Sequence, residues 1–230
     1  MSVVSSHGLA LDPRAVERLA VYCAELTRAA HRMNLVSRSD LEDIVSKHVA
    51  PSLGIGLVEE PDAKRTWIDV GTGGGFPGMV LKSVYPNCRM TLLDASRKKT
   101  EFLRRVASRL ALEDLRVVRA RVESLAAASQ LDPSPEMLGP RGAEPLPPAA
   151  FRGAFDRITM RAVTSLRQTF PWIDQIASDH CRLYTFKGPA WRDELAEADA
   201  VLRSSNWSLR TVQEIPWARP RILVFGRHDD

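Results

Sequence analysis

The chain has 230 residues, 44% hydrophobic and 26% charged, with 32 Lys plus Arg against 28 Asp plus Glu and a net charge of +4. These values allow one large domain with a buried core and exclude wholesale disorder, a collagen-like repeat and a disulfide-rich miniprotein. Cys23, Cys88 and Cys181 are scattered without a CxxC pair, which supports neither a disulfide framework nor a thiolate metal site.

The first eleven residues lack a basic stretch, an apolar stretch and a small-residue cleavage site in that order, so the expectation is a cytoplasmic protein. No run of about 20 apolar residues exists to span a membrane. Asp12 before Pro13 reads as an N-cap with proline in the first turn, and Val16, Leu19, Cys23, Leu26, Ala30 and Met33 continue at helical spacing. This predicts an amphipathic helix to about Ala30. Ser39 with Glu42 has capping-box spacing and leads into Leu41, Ile44, Val45, His48 and Val49, which predicts a second helix before Pro51.

From Thr66 the pattern changes to short apolar runs bounded by turns, as in buried parallel strands. Strands are expected at 66–70, 89–94, 116–120, 155–161, 182–187, 209–215 and 221–226. Helices are expected at 77–85, 96–110, 166–177 and 191–203. The pattern is a three-layer α/β sandwich of about seven strands whose last two, with no helix between them, form an antiparallel pair. Residues 1–64 form a helical cap, and 65–230 form the core. Ser129 to Ala150 carries six of the fifteen prolines and little apolar bulk, and reads as a mobile surface insertion.

The strongest local signal is Trp67-Ile68-Asp69-Val70-Gly71-Thr72-Gly73-Gly74-Gly75-Phe76-Pro77-Gly78, a strand entering a glycine-rich turn before a helix. Such a turn brings backbone N–H groups against a ligand at the end of a parallel strand. Gly73, Gly75 and Gly78 fit GxGxxG, but from Gly71, which directly follows the strand, the register fails at Phe76, weakening a dinucleotide site. A P-loop is excluded because no Gly-Lys-Ser/Thr follows. Asp69 to Gly75 fits Asp-x-Gly-x-Gly-x-Gly, the turn of S-adenosylmethionine-dependent methyltransferases. Carboxylates suit a cofactor carrying a sulfonium and an amino group, and Asp94 at the next strand end is placed for ribose hydroxyls. The plainer reading is that both aspartates cap helices.

This motif, with Met33-Asn34-Leu35, Leu92-Leu93-Asp94-Ala95, Arg121-Val122-Glu123, Met160-Arg161-Ala162 and Phe186-Lys187-Gly188, resembles the RsmG (GidB) family over about residues 15–226. Members methylate a guanine at ring nitrogen 7 in bacterial small-subunit (16S) ribosomal RNA. The resemblance implies a Rossmann-like class I methyltransferase fold with S-adenosylmethionine as cofactor and ribosomal RNA, free or within an assembling subunit, as substrate.

The motif and the next strand end give Asp69, Thr72, Gly73, Gly75 and Asp94 for cofactor binding, and the resemblance assigns Gly71 and Phe76 to the same turn. It puts Val122 and Glu123 on the adenine side and Arg161 at the mouth of the site. A ring nitrogen with an in-plane lone pair needs no general base, so Asn34, which reads equally as a cap of the first helix, Arg121, Lys187 and Arg221 are candidates for positioning the substrate rather than for acid–base work. No metal and no membrane are expected, and the protein is expected to be a monomer.

Two departures stand out. His48-Val49-Ala50-Pro51-Ser52 has proline where the family usually has an aspartate, and the proline-rich insertion is unusual. His48 itself reads most simply as a structural histidine. Arg97, Lys98, Lys99, Arg104, Arg105 and Arg109 crowd one helix as either a solvated face or an RNA surface. Rival readings are a methyltransferase with a small-molecule or protein substrate, and a nucleotide-binding regulator without chemistry.

Overall fold

The structure is a computed structural model that describes residues 8–30, 32–126 and 148–227. Seven strands form one sheet: β1 (Thr66–Val70), β2 (Arg89–Asp94), β3 (Leu115–Arg119), β4 (Phe155–Arg161), β5 (Ala177–Lys187), β6 (Trp207–Glu214) and β7 (Arg221–Arg227). Their order is β3-β2-β1-β4-β5-β7-β6. The first five are parallel, and β7 enters antiparallel between β5 and β6.

Alternation along each strand divides the core into two layers. Trp67, Met90, Leu92, Val117, Tyr184, Ile222 and Val224 face one side. They meet α1 (Pro13–Ala30), α4 (Gly78–Val84) and α5 (Arg97–Arg109) there. Ile68, Val70, Leu93, Ile158, Met160, Leu183 and Phe225 face the other. That side is covered by α6 (Val122–Ala126), α7 (Leu166–Ile173) and α8 (Trp191–Ser204).

The described residues before β1 pack onto the sheet, since Leu19, Tyr22, Leu26, Val49, Leu53 and Ile55 belong to the same apolar cluster as Trp67 and Leu92. Glu59 adds a polar tie, accepting from Arg157 Nε at 2.7 Å and from the Tyr184 hydroxyl. Arg157 is buried there, so losing Glu59 would leave a charge without its partner.

Four expectations need correction. The predicted second helix is broken into α2 (Arg38–Leu41), a π-helical turn (Val45–Val49), α3 (Ala50–Leu53) and a 3₁₀ turn (Gly54–Leu57). Ser39 is not its cap; Ser37 precedes the helix without a side-chain cap bond. Pro51 does not end the segment either. Without an N–H it sits at the second position of α3, where no intrahelical donor is required. The expected proline-rich excursion, 129–150, lies outside the described residues as far as 147. Its last part is structured: Pro148–Phe151 is a 3₁₀ turn, and Phe151, just past the expected end, is buried against β4 and α6.

Candidate active site

In this strand order the chain leaves β1 toward β2 on one side and β4 toward β5 on the other, so the carboxyl ends of β1 and β4 flank the point where the winding reverses. Ligands of open α/β sheets bind in that crevice. The glycine turn after Val70 and the residues after Arg161 both occupy it.

The turn is built by β2 as much as by its own sequence. The N–H groups of Gly71 and Thr72 donate to the Leu93 carbonyl at 2.8 and 3.0 Å. Gly73 N–H donates to Asp94 Oδ2 at 2.9 Å, and Ser96 N–H to Asp94 Oδ1 at 2.8 Å. Gly73 has φ +59, and a Cβ there would meet nothing nearer than the Gly71 carbonyl at 3.9 Å. That position therefore faces open space, which is what a bound adenosyl group requires. Gly78 is the reverse case: its Cβ would fall 2.3 Å from Leu92 and 2.7 Å from Asp69, so only glycine lets α4 start this close to the sheet.

Asp69 is fully buried. Its Oδ2 accepts the Gly78 N–H at 2.9 Å and its Oδ1 the Thr159 hydroxyl at 2.8 Å. Burial pushes this carboxyl up to about 6, against the lowering effect of those donors and of nearby Thr72. The Thr72 hydroxyl is itself buried and makes no bond of hydrogen-bond geometry. Asp69 thus fixes the start of α4 from beneath, whereas Asp94 shapes the turn directly.

The cap closes over the same turn. The Tyr22 hydroxyl donates to the Gly74 carbonyl at 2.9 Å, and the Tyr22 and Phe76 rings are 5.7 Å apart. His48 lies on Phe76 with centroids 4.8 Å apart, and its Nε2 is 3.3 Å from Asp40 Oδ2. Burial first, then the neighbouring Arg161 charge, lowers the His48 pKa and favours the neutral imidazole, against the raising effect of Asp40. Arg161, at the end of β4, donates through Nη1 to the His48 carbonyl at 3.2 Å and through Nη2 to the Lys47 carbonyl at 2.6 Å. It joins the sheet edge to the π-helical turn, a helical form that often marks functional segments.

The positioning candidates are spread along this edge. Asn34 is exposed in the loop after α1. Its neighbour Leu35 places a carbonyl 3.1 Å from where a Gly74 Cβ would lie. Val122, buried, and Glu123, half-buried, begin α6 beyond the end of β3, with exposed Arg121 just before them. Lys187 pairs with Arg221 in the sheet register. Both cations are engaged: Lys187 Nζ contacts Glu194 Oε1 at 2.5 Å and the Thr164 carbonyl at 3.1 Å, and Arg221 Nη2 contacts Glu214 Oε1 at 2.9 Å.

Sequence reasoning missed Tyr22 and Thr159 and gave His48 no place at the turn. A tyrosine hydroxyl on an otherwise apolar helix face, and a threonine inside the apolar run of β4, were the available signals.

Residues 15–135 match the family model described as GidB, rRNA small subunit methyltransferase G. A protein of Roseiflexus sp. strain RS-1 named Ribosomal RNA small subunit methyltransferase G is 32% identical over 226 residues, covering 97% of this chain and 88% of its own. A protein of the same name from Pseudomonas paraeruginosa is 35% identical over 191 residues, with coverage of 82% and 76%. Among solved structures, a SAM-dependent methyltransferase from Aquifex aeolicus aligns with TM-score 0.53 and 14% identity over 89% of this chain and 97% of that one. A mutant of MtNAS in complex with S-adenosylmethionine aligns with TM-score 0.54 and 14% identity, covering 93% and 74%. These structural matches establish a shared fold.

Proposed function

The chain belongs to the GidB family of small-subunit ribosomal RNA methyltransferases, and from that premise we propose that its acceptor is ring nitrogen 7 of a guanine. It is an S-adenosylmethionine-dependent enzyme that methylates small-subunit ribosomal RNA. The observation that carries the cofactor site is the Gly73 turn, whose amide Asp94 accepts and where an added Cβ would meet no protein atom nearer than 3.9 Å.

Bound S-adenosylmethionine supplies an electrophilic methyl on a cationic sulfur. The residues of this chain bind and orient. Gly71 to Gly75 give the close backbone approach, Asp94 has carboxylate lone pairs for ribose hydroxyls, and Val122 and Glu123 flank the adenine. Arg161 and Phe76 hold the cap against the methyl-donating end. Because the guanine nitrogen attacks with a lone pair already in the ring plane, no proton must leave before the methyl is transferred, and alignment is the main requirement. Asn34, Arg121, Lys187 and Arg221 lie along the edge on which the base and its phosphates would be held. The engaged cations Lys187 and Arg221 can reach the substrate only by sharing or releasing their carboxylate partners.

The same reading makes the protein a cytoplasmic monomer that meets the RNA, free or assembling, without a membrane; among the described residues no helix is long and apolar enough to cross one. The test is mass mapping of methylated nucleosides in small-subunit RNA from cells with and without the gene. Loss of one 7-methylguanosine is expected. Loss of a different methylated nucleoside would replace the proposed acceptor, and an unchanged map would overturn the RNA assignment.

A further inference from the structure

Beside the substrate half of the sheet edge, a groove of about 690 Å³ separates the cap from the turn joining β6 to β7. Its size is within the roughly 300–1,000 Å³ usual for small-ligand clefts. One wall carries Asp43, Ser46, Lys47 and Pro51, and the other Pro216 to Pro220. Neither the cofactor turn nor the positioning candidates line it.

Both walls are fixed to the catalytic edge. Trp217 Nε1 donates to the Ala50 carbonyl at 2.7 Å, which locks the indole across the gap. The Lys47 carbonyl is held by Arg161 at the end of β4. The turn itself leads into Arg221, opposite Lys187.

The lining suits a nucleotide. Trp217, Pro216 and Pro220 offer flat apolar faces for a base, the stacking element of single-stranded recognition. Arg219 is exposed and makes no ion pair among the described residues. Lys47 is 44% exposed and paired with Asp40 at 2.9 Å. Asp43 is the one carboxylate in the lining, and its Oδ1 already accepts the Ser46 hydroxyl at 2.5 Å. With Lys47 neutralised by Asp40, it is Arg219 that gives the lining a cation for a phosphate.

We propose that this groove binds an unpaired ribonucleotide adjoining the acceptor guanine, its base against Trp217 and the prolines and its phosphate on Arg219. The assignment rests on the reading of the chain as a ribosomal RNA methyltransferase. A duplex does not fit it, because paired bases present no free face to a wall.

The experiment uses the full chain with Arg219→Ala, with Pro216→Glu, which brings a carboxylate to an exposed lining position, and with Lys98→Glu on α5 as a contrast. Fluorescence anisotropy of a labelled ten-nucleotide single-stranded RNA is measured over a salt series. Methylation of purified small subunits, cofactor calorimetry and Tm are followed in parallel. Arg219→Ala is expected to weaken RNA binding several-fold and reduce the salt slope by about one. Pro216→Glu is expected to weaken it about tenfold, with cofactor affinity and Tm unchanged in both. Unchanged RNA affinity in these two variants, weakening in Lys98→Glu alone, or equal affinity for a duplex of the same length would overturn the groove. Those results leave the family reading standing if the wild type still methylates small-subunit RNA. If the wild type methylates none, both fall.

Discussion

The Asp94 carboxylate at the tip of β2 accepts the Gly73 amide through Oδ2 at 2.9 Å and the Ser96 amide through Oδ1 at 2.8 Å, so a single side chain shapes the glycine turn and the start of α5. Asp94→Asn keeps the volume but offers one carbonyl oxygen where two carboxylate oxygens accept. Hydrogen bonds to a charged partner contribute about 1.5–3 kcal/mol. The expected result is a roughly tenfold or greater loss of S-adenosylmethionine affinity in calorimetry. Unchanged affinity would remove Asp94 from the site.

Gly73→Ala tests the space above the turn. The left-handed φ of +59 costs an alanine about 1–2 kcal/mol, while its methyl meets no protein atom closer than 3.9 Å. A modest drop in Tm with strong loss of cofactor binding is expected. Equal losses in both would mean that the turn itself had collapsed.

The strands were legible because parallel strands buried on both faces read as continuous apolar runs, as in Thr66–Val70 and Arg89–Asp94. The first half of β5 was missed because Ser178, Asp179 and His180 interrupt that signal. Helix α6, with five residues, is too short to show a period. The different work of the two aspartates could not be read from their shared position near strand ends. Register decides it: Asp69 pairs with Leu92 and Val70 with Leu93, so Asp94 stands one residue beyond the end of β1 and level with the turn. Asp69 stays beneath α4. The hold of Arg161 on the cap was equally hidden, since it depends on a π-helical turn that periodicity takes for ordinary helix.

Asp69 should leave a mark on the pH dependence of stability. Its carboxyl is raised from 3.8 to about 6 by burial, so between these values the folded state holds a proton that the unfolded state has released. Stability from this group is therefore present at low pH and lost as pH rises from about 4 to about 6. Asp69→Asn can still accept the Gly78 N–H but does not titrate. The urea midpoint of the wild type, relative to this variant, is expected to fall across that window and to stay level above it. A relative midpoint that rises across the window would contradict the burial effect.

Arg161→Lys separates the latch from mere charge. Lysine retains the cation but cannot reach both the Lys47 and His48 carbonyls in the same forked geometry. Loss of one charge-assisted bond, about 1.5 kcal/mol, corresponds to about tenfold faster opening. Hydrogen exchange is expected to speed up by that order in the amides of residues 45–50, 52 and 53 and to remain unchanged in the central strands. Uniform acceleration would make Arg161 a general stabiliser, and no acceleration would show that the latch is not needed to hold the cap.

Lys187 and Glu194 form a pair whose role a double-mutant cycle can assign. Lys187 is 11% exposed, and Glu194 also accepts the Leu166 amide at 2.8 Å. Removing the ammonium leaves that carboxylate without its cation, so Lys187→Met is expected to lower both Tm and methyl transfer. Glu194→Gln added to it keeps an acceptor for Leu166 while removing the orphaned charge, and Tm should recover. If Lys187 positions the RNA phosphates, activity stays low in the double variant although stability and cofactor affinity return, with the loss appearing in KM for the small subunit. Recovery of activity together with Tm would make the lysine a structural partner of Glu194 and leave Arg221, tested as Arg221→Ala, to hold the substrate at this edge.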